Sequence, residues 1–146
     1  MNNNLLTGIS LSDNTPFEDW ATNILPWLRE AMNDVAEGIT GDIATLLDKQ
    51  QRYTAYAGAL VEIYAKAEAY YKTKLAEAME AAIKEGVSAS LVARIAEGKI
   101  ATVIRFYEAI HRFNSTLTDQ LMAVAARLKY EGALMWGDRG GQEKPK

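Results

Sequence analysis

Cysteine is missing from this 146-residue sequence, which excludes disulfides, thiolate metal ligands and cysteine nucleophiles. That fits a reducing compartment, and cytoplasm is the expected location. No stretch approaches the roughly 20 consecutive apolar residues that cross a bilayer, and Met1 to Ser10 lacks the basic and apolar blocks of a cleaved signal. Cations are not in excess: 16 Lys and Arg against 19 Asp and Glu give a net charge of −3, so no global field draws the chain to nucleic acid or to an anionic membrane. Histidine occurs once, at His111. Neither a glycine-rich phosphate loop nor a G-x-S-x-G elbow is present, because Gly137, Gly140 and Gly141 cluster near the end of the sequence. Proline occurs three times, and none falls between residues 42 and 131.

What is present is helical period. Ile43, Leu46, Gln50, Tyr53, Ala57, Leu60, Tyr64, Ala67 and Tyr71 step by three and four, and after one glycine turn Val92, Ala96, Lys99, Val103, Phe106, Ile110, Phe113 and Leu117 answer them. Such a stripe leaves water only against another helix. The spacing therefore predicts an all-α fold: a long, coiled-coil-like two-helix hairpin with a shorter N-terminal helix. Residues 1–14 read as a flexible arm and 15–136 as one helical domain, with helices at about 16–37, 42–84 and 89–131. Residues 137–146 read as a disordered tail. Thr15 reads as a cap, Pro16 as the first helical residue and Glu18 as its capping-box acid, while Pro26 should kink or split the first helix. Asp48 with Arg52, Glu62 with Lys66, Glu68 with Lys72 and Glu80 with Lys84 place an acid four residues before a base and reinforce continuity.

A second stripe accompanies the first. Tyr56, Ile63 and Tyr70 recur every seven residues on the first long helix; Ile100, Ile104, Tyr107, Thr118, Met122 and Ala125 do likewise on the second. The short helix, with Phe17, Trp20 and Trp27, covers about half of that surface at about 1.5 Å per residue. The remainder predicts self-association into an oligomeric bundle through Tyr56, Ile63, Tyr70, Ile100, Ile104, Tyr107 and Met122. Gln50, Lys74, Lys99 and Gln120, polar within the seam, are read as register-setting positions.

The chemistry search points away from an enzyme. Glu108 and His111 form an E-x-x-H like that of ferritin-like di-iron proteins. At 100° per residue, however, Glu108 lies nearly opposite Phe106, Ile110 and Phe113, so no metal and no cofactor are expected. Arg94, Arg105 and Arg112 fall within about 20° of one line, and with Tyr130 to stack on bases they form a candidate nucleic-acid surface.

The run Ala67-Glu68-Ala69-Tyr70-Tyr71-Lys72, the glycine turn, Phe106-Tyr107-Glu108 and Leu128-Lys129-Tyr130-Glu131 give residues 45–131 a resemblance to small helical proteins of phage replication and recombination modules, T4-type recombination mediators among them. The resemblance implies a non-catalytic, oligomeric accessory protein that binds itself and holds single-stranded DNA or a recombination or replication protein. The alternative is a secreted or chaperone-like helical hairpin binding a partner protein's helices; a ferritin-like metal protein is the third reading.

Overall fold

The apolar period resolves into four helices in the computed structural model, which describes the backbone of residues 16–140 and the side chains of residues 16–137. They are α1 (Phe17–Ala36), α2 (Ile43–Lys84), α3 (Ala89–Lys99) and α4 (Ala101–Gly140). The expected arm, the Thr15 cap and residues 141–146 of the expected tail lie outside the described residues.

Each helix end has a local cause. Pro16 takes the cap position of α1 at φ −52° and ψ 141°, one residue earlier than its expected place inside the helix. The helix then runs unsplit through Pro26, whose exposed position lets water satisfy the carbonyl that the missing N–H leaves free. Gly41, at φ +119°, admits no side chain, since a Cβ there would sit 2.7 Å from Thr45 Cγ2. Asp42 then caps α2, its carboxylate accepting from the Thr45 N–H at 2.9 Å and the Thr45 hydroxyl at 2.8 Å. Those two bonds hold the Asp42 carboxyl below its ordinary value. Gly86, at φ +80°, ends α2 in a double turn: its N–H donates to Ile83 O at 3.0 Å and the Val87 N–H to Ala82 O at 3.1 Å.

The single helix expected over 89–131 is two. Ile100 leaves helical geometry at φ −110° and ψ 24°, where Gly98 and the β-branched Ile100, Thr102, Val103 and Ile104 crowd weak helix formers together. Beyond the break α4 passes through Gly132 to Gly140. One helical glycine costs only about 1 kcal/mol relative to alanine, and Ala133, Leu134, Met135 and Trp136 carry the helix on.

α2 folds back along α3 and α4, and its seam is the expected one: Leu46, Tyr53, Leu60 and Ala67 are buried on one side, and Val92, Ala96, Ile110, Phe113 and Leu117 on the other. α1 lies in the groove between α2 and α4. Its Trp20, Ile24, Trp27, Leu28, Ala31 and Val35 join Tyr53, Leu60, Ile63, Ile110, Phe113, Leu117 and Val124 in one core. Burying each large side chain contributes roughly 1.5–3 kcal/mol, so α1 is integral to the bundle. It runs antiparallel to α2, with Phe17 stacked on Tyr70 at 3.7 Å and Trp27 edge-on to Tyr56 at 6.0 Å.

This seat corrects the expected interface. The stripe of Tyr56, Ile63 and Tyr70, expected to face another chain, is occupied by α1 of the same chain: Ile63 is 4% exposed, and the Tyr70 hydroxyl donates to Glu18 at 3.1 Å. A seven-residue spacing specifies that a neighbour is needed and says nothing of which helix supplies it. Glu18 thus serves Tyr70 in place of a capping box. Of the four expected ion pairs, those of Arg52, Lys72 and Lys84 form, whereas Lys66 lies over the Trp20 ring at 5.4 Å.

Candidate functional site

Two polar assemblies stand out on this scaffold. The first fixes α1. Asp34, near the end of α1, accepts from Arg52 Nε at 2.9 Å and Nη2 at 3.0 Å and from the Tyr56 hydroxyl at 2.7 Å, and Arg52 also holds Asp48. Burial pushes the Asp34 carboxyl up, but the Arg52 and Tyr56 hydrogen bonds and the charges of Arg52 and Lys49 outweigh it and leave the group below its ordinary value. Tyr56 is pushed up to about 12 by burial and by its bond to Asp34. The buried Lys49 donates to Gly38 O, so the start of the α1–α2 connection is tied to α2. Asp34 and Arg52 carry no signal in the sequence because an isolated acid in α1 and a base 18 residues on share no motif; only the fold makes them neighbours.

The second assembly lies where α2 meets α4 away from α1. The Tyr64 hydroxyl sits 3.0 Å from the Tyr107 hydroxyl and 3.1 Å from His111 Nδ1, and Tyr71 stacks on Tyr107 with ring centroids 5.0 Å apart. The hydrogen bond with Tyr64, then burial, raises Tyr107 to about 12. Tyr64 and Tyr71 belong to the seam, while Tyr107 and His111 stand four apart on α4, so the pairing needed the hairpin's register to be seen. A hydroxyl–hydroxyl–imidazole chain of this kind orders side chains along the groove; among the described residues no carboxylate hydrogen-bonds His111.

Around this groove the remaining faces separate cleanly. On α2, Val61 stands two residues and hence 200° from Ile63; on α4, Met122 stands nine residues and hence half a turn from Phe113. Since Ile63 and Phe113 pack in the core with α1, Val61 and Met122 point away from it, and they are 72% and 68% exposed. We call the surface that carries them the open face. Ile104 and Tyr107 border it half-buried, and Ile100 is half-buried at the helix break.

The arginine line is altered. Arg94 belongs to α3 and Arg105 and Arg112 to α4, with the Ile100 break between them, and all three are exposed. Arg112 stands 4.0 Å from Glu108. Tyr130, exposed, lies under Arg127 at 5.7 Å, and Arg127 in turn pairs with Glu131 at 2.6 Å. Among the described residues no three of His, Asp and Glu gather to hold a metal ion, and no helix is long and apolar enough to cross a membrane. The polar seam positions find separate roles: Lys99 bridges to Glu85 across the turn at 3.1 Å, and Lys74 pairs with Glu77 at 2.8 Å. Gln50 is half-buried, and Gln120 Oε1 is buried without a partner among the described residues.

No protein-family model matches the chain, and neither a curated protein nor a solved structure matches it.

Proposed function

We propose that this is a non-catalytic helical accessory protein that works by assembling with other helices, which it holds against the open face of α2 and α4. The observation that carries the reading is the placement of Val61 and Met122, large apolar side chains left 72% and 68% exposed on the side of the bundle opposite α1. Three helices surround the core, among the described residues no helix covers Val61 or Met122, and a helix laid over them adds a fourth to the arrangement. Amphipathic helices are recognised in grooves of this kind through anchors spaced three and four apart.

A photo-reactive residue at position 61 or 122, expressed in the cells that encode the protein, tests it. Cross-links to protein from both positions, and none from a probe at Arg105, are the expected result. Absence of any cross-linked protein at 61 and 122 refutes the reading.

A second reading, an accessory of phage or mobile-element replication or recombination that holds single-stranded DNA, draws support from the exposure of Arg94, Arg105, Arg112 and Tyr130. The proximity of Glu108 to Arg112 and the net charge of −3 weigh against strong binding.

A further inference from the structure

We infer that the projecting end of α4 is a membrane-surface anchor: Leu134, Met135 and Trp136 enter the interface of an anionic lipid bilayer while Lys129 stays among the headgroups. The register of the hairpin shows that this end projects. Tyr64 bonds to His111, and Ile43 stands 21 residues before Tyr64 as Gly132 stands 21 residues after His111, so α2 begins level with Gly132. Beyond that level residues 133–137 are exposed without interruption. A helix lying on a bundle buries a residue every three or four positions, so five exposed in succession stand clear of the described chain on all sides.

What stands clear is apolar all the way round. The segment from Gly132 to Gly137 holds no charge. Ala133, Leu134, Met135 and Trp136 point in four directions 100° apart, and the last three are 49%, 54% and 76% exposed. A partner helix covers one stripe about 100° wide and would leave most of these side chains in water, whereas a fluid apolar phase surrounds them all. The five residues project roughly 7.5 Å at 1.5 Å per residue, which matches the roughly 5–10 Å to which interfacial segments sink. Tyr130, one turn back from Leu134 and 56% exposed, joins Trp136 as an aromatic of the kind that favours the boundary.

Charge selects the lipid. Residues 127–146 hold five Lys and Arg against three acids, a net of +2, although the whole chain carries −3. Lys129 lies two turns back from Trp136 and within 20° of its direction, so its ammonium reaches headgroup phosphates while the indole sits in the boundary. Glu131 is paired with Arg127 at 2.6 Å. The α1–α2 connection at the same end carries exposed Glu37 and Asp42, which hold it off an anionic surface and limit entry to the projecting turns. An apolar segment this short binds only marginally by itself, and the cations supply the second attraction that stable anchoring needs.

Tryptophan emission of the full chain reads the contact directly, since Trp20 and Trp27 are 0% and 7% exposed and only Trp136 is accessible. Vesicles of phosphatidylserine and phosphatidylcholine in about a 3:7 ratio, at roughly 50 mM salt, should shift that emission to the blue and sediment with the protein. Leu134→Ser combined with Trp136→Ser, both at exposed positions, should leave helicity unchanged and lower vesicle affinity at least about tenfold. Lys129→Gln should lower it about fivefold. A parent that does not bind these vesicles, or a double serine variant that binds them as well, overturns the proposal. A parent that ignores the vesicles while a photo-reactive residue at 136 captures a protein replaces the bilayer with a protein socket and overturns it equally.

Discussion

Replacing Ile63 with glutamate separates two accounts of the same stripe. If Ile63 faced another chain, a charge there would split an assembly and leave each subunit folded. In the structure Ile63 is 4% exposed within the core that α1 completes. The α1–α2 register, set by Tyr70 against Phe17 and Arg52 against Asp34, places it level with Ile24. The substitution removes an isoleucine whose burial contributes roughly 1.5–3 kcal/mol. It also forces the introduced carboxyl to take up a proton on folding. At pH 7, against an ordinary glutamate value near 4.3, neutralisation costs about 1.36 × 2.7, or roughly 3.7 kcal/mol. The sum, about 5–7 kcal/mol, is comparable with the roughly 5–15 kcal/mol total stability of an ordinary domain.

The carboxyl's value is raised in the folded state, so the folded form binds more protons and stability returns as pH falls. At pH 5 the neutralisation cost drops to about 1 kcal/mol, a recovery of roughly 2.7 kcal/mol. Urea denaturation followed by far-ultraviolet circular dichroism at the two pH values measures both quantities. Ala55→Glu, eight residues away on α2 and exposed, is the control and should shift the stability of the fold by no more than about 0.5 kcal/mol. An Ile63→Glu protein within about 1 kcal/mol of its parent at pH 7, with no gain at pH 5, would show that α1 does not close over Ile63 in solution.

Asp34→Ala should cost about 2–3 kcal/mol in chemical denaturation, below the 3–5 kcal/mol of a fully buried pair because a quarter of the Arg52 side chain is exposed, and a double-mutant cycle with Arg52→Ala should show coupling. Since the folded value of Asp34 is depressed, its contribution is present above the unfolded value near 3.9 and is lost as pH falls through the folded value; Asp34→Asn should flatten that acid limb. Tyr56 and Tyr107, both near 12 in the folded protein against an ordinary 10.0, bind protons that the unfolded chain releases, so stability should fall as pH rises from 10 to 12. Ultraviolet titration of Tyr64→Phe should bring the Tyr107 midpoint down, because the largest cause of its elevation is removed. Single-strand DNA binding measured at roughly 50 and 200 mM salt tests the arginine line: removing Arg94, Arg105 and Arg112 together should lower the salt slope by about one unit for each phosphate they neutralise, and a parent that binds nothing at the lower salt ends the nucleic-acid reading.

The hairpin was legible because Tyr53, Leu60, Ala67, Ile110, Phe113 and Leu117 combine long regular spacing with burial, and a period sustained over so many turns arises where one helix lies along another for its whole length. The break at Ile100 was not, since it leaves the phase of the helix intact: the Ile100 N–H still donates to Ala96 O at 3.3 Å and the Ile104 N–H to Ile100 O at 3.1 Å, so the apolar steps continue across it. The stop at Gly132 failed for an energetic reason, because one glycine is a weak obstacle inside a helix whose next residues all favour it.

The open face was hidden for a different reason. Stripes found by seven-residue spacing favour positions such as Tyr56, Ile63 and Tyr70, where aromatic and branched side chains repeat; α1 takes those because they are the most apolar surface on offer. What is left for a partner is the next best surface, and its signature is sparse: Leu47, Val61 and Ile83 among alanine, threonine and glycine. In the sequence those three read as ordinary exposed residues of a long helix, since single exposed hydrophobics are normal. Only when α1 has been seated does their common direction acquire meaning, because the line they share is then the side of α2 that nothing in the described chain covers.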